Sequence, residues 1–312
     1  MRTLFTDRGT IKFPCVLPVT TLGQRYSQTD NLVRPFLKHI ASGAMSNTYY
    51  AQKMKPDQHP GCPLWLDSGG FALLKYSNAS VKVQQHTAGG QRWILGNIVL
   101  PDENQDSTQV ITPSKVLSTQ SRLADVALTL DLPCPPSLER SEANRRIELS
   151  KTNALWAKNY CQTIPLYAVI PVWDISSSVA LAKCYTEAQF DGIAIGGLIP
   201  RLRDIEFVIE LVKNIRNTTN LPLHALGIGT PSLIKLMFEL GIDSTDSSSY
   251  VKHAANGKCW SNPNAEFKSP SPLERRDMAL LNLITATQAS SNQTSTLFQS
   301  WNLTSAQQHS NE

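Results

Sequence analysis

No apolar run in the 312 residues is long enough to cross a bilayer, and Met1 to Arg8 hold no apolar segment of the kind a secretory signal needs. The chain is therefore expected to work in the cytoplasm without membrane attachment. Cysteine is sparse and scattered. Cys15, Cys62, Cys134, Cys161, Cys184 and Cys259 form no CxxC pair and no tight framework, which excludes a disulfide scaffold and suits reduced thiols. Histidine is as dispersed: His39, His59, His86, His224 and His253 show no metal spacing and no evident dyad. Neither a metal nor another cofactor is expected. Charged residues are only 17% of the chain, with a net charge of +4. That balance is compatible with a polyanionic partner but does not demand one.

What is present is a recurrence. Short apolar runs end in polar or glycine residues: Cys15–Val19, Gly43–Asn47, Leu64–Asp67, Val126–Asp131, Leu166–Ile170, Gly192–Gly196, Leu223–Gly227 and Ile242–Asp246. Continuous runs of this length suit strands buried on both faces of a parallel sheet. Amphipathic stretches lie between many of them, among them Ser137–Cys161, Ser176–Gln189, Leu202–Asn214 and Pro231–Leu240. Eight strands alternating with helices predict an α/β fold of the (β/α)8 TIM-barrel class. Val81 to Pro101 read as a β-hairpin around Ala88-Gly89-Gly90, inserted after strand 3. Ser271-Pro272-Leu273-Glu274 is a capping-box signature and predicts a closing helix. The barrel is expected to occupy residues 1–288. Residues 289–312, rich in Ser, Thr, Gln and Asn, have the composition of a disordered tail.

A barrel of this kind places its chemistry at the C-terminal ends of its strands. Those ends are Asp67, Asp131, Gly196-Gly197, Gly227 and Asp246. In Leu64-Trp65-Leu66-Asp67-Ser68-Gly69-Gly70-Phe71 an apolar strand delivers an aspartate, then two glycines that would let the backbone approach a flat ligand, then an aromatic ring. A carboxylate half shielded from water can hold a proton near neutral pH and act as an acid or base. By spacing alone, the same segment reads equally well as an Asp-capped helix start with a glycine turn.

Asp67-Ser68-Gly69-Gly70-Phe71 resembles the signature of the tRNA-guanine transglycosylase superfamily. Further segments agree in order: Arg8-Gly9-Thr10-Ile11 through Leu17-Pro18-Val19, Ser46-Asn47-Thr48-Tyr49, Phe190-Asp191-Gly192 through Gly197-Leu198, and Gly227-Ile228-Gly229-Thr230-Pro231 with Gly241-Ile242-Asp243-Ser244-Thr245-Asp246-Ser247. The resemblance implies a base-exchanging pentosyltransferase. It makes Asp246 the nucleophile that attacks the sugar and Asp67 the general acid and base. It assigns the base pocket to Ser68, Phe71, Asp131, Gly197, Leu198 and Leu226, with Asp131 accepting from the purine edge and Phe71 and Leu226 sandwiching the ring. Asp243 competes with Asp246 for the nucleophile role, although it matches an earlier, non-nucleophilic aspartate of the family. Arg201, Arg203, Arg275 and Arg276 are candidates for the nucleic-acid backbone. Cys134 reads as a buried structural thiol.

Three departures bear on the substrate. The zinc-binding CxCxxC segment and later histidine of the family are missing: only Cys259 and His253 lie in that region, so no zinc subdomain is expected. Ile170-Pro171-Val172-Trp173 stands where the family has a Gln-Gly pair. No C-terminal RNA-binding domain of the archaeal kind is expected. These features resemble the DNA-guanine transglycosylases, which insert 7-deazaguanines into DNA. The expected partners are therefore nucleic acid, DNA ahead of tRNA, a 7-deazaguanine base, and the proteins of a modification system. The alternatives are the same chemistry on tRNA, or a non-catalytic paralogue that presents nucleic acid to a partner subunit.

Overall fold

The β-branched and aliphatic runs form eight short strands: Cys15–Pro18 (β1), Ala44–Asn47 (β2), Leu64–Asp67 (β3), Val126–Leu128 (β4), Leu166–Pro171 (β5), Gly192–Gly196 (β6), Leu223–Ala225 (β7) and Ser244–Ser247 (β8). In this computed structural model, which describes residues 2–23, 27–76, 78–101, 108–161, 163–266 and 268–288, they pair in the order β1-β8-β7-β6-β5-β4-β3-β2. All the pairings are parallel. A parallel bridge between Val19 and Met45 joins the two ends, and the Thr20 N–H donates to the Met45 carbonyl at 2.8 Å. The fold is a (β/α)8 barrel. The tail from residue 289 lies outside the described residues.

Helices Arg140–Tyr160, Ile175–Glu187, Ile205–Thr218 and Pro231–Glu239 cover the outer face. Their starts are set by residues that satisfy the first free N–H groups. Asp174 accepts from Ser177 N–H, and Asp204 from Phe207 N–H. Ser271 and Glu274 form the reciprocal capping box at the start of Pro272–Gln288. Apolar residues such as Leu181, Val208, Leu211 and Ile215 then pack against the outward side chains of the strands.

The lumen is filled by Leu17, Met45, Trp65, Leu128, Tyr167 and Val169, all buried. An antiparallel pair, Thr3–Thr6 with Gly9–Lys12, plugs the end where the strands begin, and sends Ile11 into the same cluster, followed by Phe13. Polar ties fix the plug. Arg2 and Arg216 both reach Asp243 at 3.2 Å, and Asp243 also accepts the Leu223 N–H at 2.8 Å. Arg8 reaches Asp125 at 3.1 Å.

Between β3 and β4 the chain forms a three-stranded antiparallel sheet, Ser80–Ala88, Gln91–Pro101 and Thr108–Ile111. Buried Asn153 docks it by accepting the Gly96 N–H and donating to the carbonyls of Gly96 and Leu130. The expected strand Val126–Asp131 ends at Leu128. Gln120 donates to the carbonyls of Leu66 and Leu128 at 2.8 and 2.7 Å, and Ser150 accepts the Leu132 N–H. Beyond β4, side chains from helices hold main-chain groups that a longer strand would have paired, so Asp131 sits on an irregular segment. The expected run Leu223–Gly227 likewise ends as a strand at Ala225.

Replacing Asp243 by Asn removes the charge from this tie. Asp243→Asn is expected to cost about 2 kcal/mol, read as a lower melting temperature by calorimetry.

Candidate active site

A cavity of about 290 Å³ opens where the strands end, and Asp67, Asp131 and Asp246 all line it. Asp67 is the last residue of β3, and Asp246 lies near the end of β8. Between them, Phe71 and Leu226 contribute apolar walls, and Gly196 and Gly197 bare backbone. Asp243 lies at the other end of β8, held by two arginines. The structure therefore separates two aspartates that the sequence places three residues apart.

The carboxylates sit in unequal surroundings. Loss of water pushes the Asp67 carboxyl up to about 6; the Gly69 N–H donating to it opposes that rise, and the Asp246 charge adds to it. Asp131 is pushed up to about 8, first by loss of water and then by the Asp67 charge. Asp246 is held by strong partners instead. Its Oδ1 accepts the Gly227 N–H at 2.6 Å and faces Nε2 of His224 at 3.2 Å. Nδ1 of His224 lies 2.8 Å from the Ser244 hydroxyl, so Asp246, His224 and Ser244 form one chain of polar contacts inside the barrel.

The expectation that His224 has no dyad is corrected by this geometry. His224 is fully buried and pairs in register with Ser244. Asp246 follows Ser244 by two residues and so points to the same face. The only sequence signal was a histidine interrupting an apolar strand. Lys252, at the rim on the helix Ser249–Ala255, and Tyr50 also line the cavity and were not anticipated.

The two glycines after Ser68 each meet a constraint of the main chain or its neighbours. Gly69 has φ +87°, and a side chain on Gly70 would lie 2.6 Å from Oδ1 of Asp131. Gly70 thus makes room for the Asp131 carboxylate. Ser68 is buried with its carbonyl accepting from the Thr48 hydroxyl at 2.8 Å, and it does not line the cavity. Leu198 packs in the outer core, so of the pair Gly197-Leu198 only Gly197 lines the cavity.

Arg201 does not serve as a phosphate contact in this structure. It is buried, and its guanidinium donates to the carbonyls of Gly197, Cys134 and Trp173. It braces the cavity wall from behind. Arg203 is exposed three residues beyond the rim residue Pro200. Arg275 and Arg276 lie on the closing helix, where Arg276 pairs with Asp277 and lies over Phe36, and neither lines the cavity. Cys134 is buried and its thiol is pushed up to about 12 by loss of water. Among the described residues no group of three or more His, Cys, Asp or Glu is arranged to hold a metal. His253 accepts from the Trp260 ring N–H, and Cys259 faces the Ser261 hydroxyl, so these residues do not fit the family's zinc.

The family model described as TGT, queuine tRNA-ribosyltransferase, matches residues 1–294. The chain belongs to this family. The queuine tRNA-ribosyltransferase of Helicobacter pylori (strain J99) is 30% identical over 232 residues, covering 67% of this chain and 57% of that protein. The Chlamydia pneumoniae protein of the same name is 25% identical over 283 residues, or 81% of this chain and 73% of its own length. The tRNA-guanine(15) transglycosylase of Methanococcus aeolicus is 30% identical over 163 residues, covering 47% of this chain and 24% of that protein. The chain thus spans a little over half of the Helicobacter relative and a quarter of the Methanococcus one.

The raised carboxylates of this family member have a consequence for stability. An unfolded chain releases its aspartate protons near pH 4, whereas the folded chain keeps those of Asp67 and Asp131 to about 6 and 8. The folded state binds more protons across that window, so stability falls as the pH rises through it. Asp131→Asn, which keeps the shape and removes the charge, should raise the melting temperature by roughly 5 °C at pH 9 and by far less at pH 4. An equal gain at both pH values would contradict the assigned protonation.

Proposed function

We propose that this chain exchanges a guanine in a nucleic acid for a 7-deazaguanine through a covalent aspartyl–sugar intermediate. The observation that carries the reading is the convergence of Asp67, Asp131 and Asp246 on one cavity walled by Phe71 and Leu226. In the first displacement a carboxylate oxygen of Asp246 attacks the anomeric carbon as the bond to guanine breaks, and Asp67 gives its proton to the departing base. In the second, the incoming base attacks the same carbon and the ester opens. Asp67 takes the proton that the incoming ring nitrogen releases.

The environments support that division of labour. A carboxyl pushed up to about 6 changes protonation near the working range, as an acid that becomes a base must. Asp246, fixed by Gly227 and His224, is oriented for attack. Asp131, next to Gly196 on the cavity wall, is placed to accept from the purine's amide and amino edge, and the ring lies between Phe71 and Leu226.

DNA is the proposed polymer. The departures from the family pattern at Pro171 and around Cys259 support it, because both fall in features of the tRNA enzymes. The names of the relatives favour the second reading, exchange on tRNA. Cells that express the protein and are supplied with 7-deazaguanine should contain the modified nucleoside in digested DNA, seen by mass spectrometry, and Asp246→Ala should remove it. Modification confined to tRNA would reassign the polymer. Its absence from both fractions would overturn base exchange.

Ionised Asp131 is the form that accepts the purine's donors, yet it holds its proton up to about pH 8 in the empty cavity. Guanine binding must then release a proton. Calorimetry should show affinity rising about tenfold per pH unit up to about pH 8, and Asp131→Asn should bind weakly with no such slope. A flat profile in the wild type would remove Asp131 from this role.

A further inference from the structure

Beside the acidic cavity lies a groove of about 230 Å³, and the two share Asn47, Tyr50 and Phe71 as walls. Their chemistry is opposite. The cavity gathers three carboxylates, whereas the described lining of the groove contains none. Its walls carry the rings of Tyr49, Tyr50, Phe71 and Tyr76 and the ammonium groups of Lys75 and Lys115. Tyr49 is 42% exposed and Phe71 64%, so apolar rings face solvent where the groove meets the cavity. The ammonium groups face rings and a carbonyl. Nζ of Lys75 stands 4.9 Å from the Tyr76 ring centre, and Nζ of Lys115 lies 3.3 Å from the Val110 carbonyl. Lys53 adds a third cation, 5.4 Å from the centre of the Tyr49 ring.

Rings interleaved with lysines, with no carboxylate among the described lining, form a surface for single-stranded nucleic acid: bases stack on the rings and phosphates meet the cations. The location gives the groove its task. A nucleotide whose anomeric carbon must reach Asp246 leaves its stack, and its neighbour loses a stacking partner. We propose that this groove holds the nucleotide adjoining the exchanged one, its base on the tyrosine rings and its phosphate towards Lys75 and Lys115. The assignment rests on the base-exchange reading and adds a flanking-nucleotide subsite to it. Stacking accepts any base, so the subsite supplies affinity and register more than sequence choice.

The test uses the full chain and fluorescein-labelled single-stranded oligonucleotides with one central guanine, as DNA and as RNA of the same sequence. Binding is followed by anisotropy at several salt concentrations, with guanine binding measured in parallel by calorimetry. Tyr49→Ala should weaken oligonucleotide binding about tenfold, and Tyr49→Phe should restore it. Lys75→Ala with Lys115→Ala should flatten the salt dependence by about two phosphate contacts. Guanine affinity should be unchanged in all of them. The DNA and RNA arms show which polymer the groove prefers, and a preference for either supports the subsite. Guanine binding with oligonucleotide affinity indifferent to every groove variant would overturn the subsite and leave base exchange standing. Groove variants that lose oligonucleotide binding, in a wild type that binds no guanine, would keep the groove and remove base exchange. Failure of the wild type to bind either oligonucleotide would overturn the proposal.

Discussion

Three carboxylates facing one cavity of about 290 Å³ cannot all be charged at low cost, because each loses water and each repels the others. The structure resolves this by giving them different partners. Asp246 receives a main-chain N–H and a histidine ring. Asp67 receives one N–H from Gly69 and keeps its proton to about 6, and Asp131, against the bare backbone of Gly70, keeps its proton to about 8. Two carboxyls that keep their protons to different pH values suit the proposed exchange, in which one proton moves across two displacements. The same grading makes the site a liability for the fold at high pH.

The rest of the barrel keeps that arrangement in place. Trp65 and Tyr167 meet edge to face with centres 4.8 Å apart, and Trp65 lies 5.4 Å from the His224 ring. This aromatic layer packs in the lumen, against the ring that contacts Asp246. Beneath it, Ile11 and Phe13 close the barrel, and the Arg2–Asp243–Arg216 tie anchors the plug. Arg201 braces the wall by gathering three carbonyls. Its charge holds the main chain that frames the cavity. The cationic surface next to the site comes instead from Lys53 in the turn after Thr48–Ala51, Lys75 on the short helix Ala72–Lys75, and Lys115 at the start of Pro113–Leu123.

Contiguous features were legible in the sequence. The strand-to-turn segment Leu64–Phe71 carries its strand, aspartate, glycine turn and ring within eight residues, and local rules suffice for it. The capping box at Ser271 and Glu274 and the Ala88-Gly89-Gly90 turn were equally local and were found where expected. Strand ends were less legible. Val126 to Leu130 is apolar but for Thr129, yet the strand stops at Leu128 because Gln120 and Asn153, on different helices, capture carbonyls along its exit. Composition along a strand cannot reveal a competitor for its hydrogen bonds that comes from another element.

Legible from the sequence alone were the barrel, Asp67 and Phe71 as neighbours after a strand, and Asp131 and Asp246 as carboxylates that follow apolar runs. Tertiary structure set Asp243 and Asp246 apart: Asp243 lies just before Ser244–Ser247 and is held by two arginines, whereas Asp246, near the end of that strand, lines the cavity. It alone joined His224 to Asp246 through the register of β7 with β8, removed Arg201 from the ligand side, and gave Gly70 its partner in Asp131. The reason is common to all of these. A side chain's role follows from what closure of the sheet sets across from it, and those partners come from strands, turns and helices distant in the sequence.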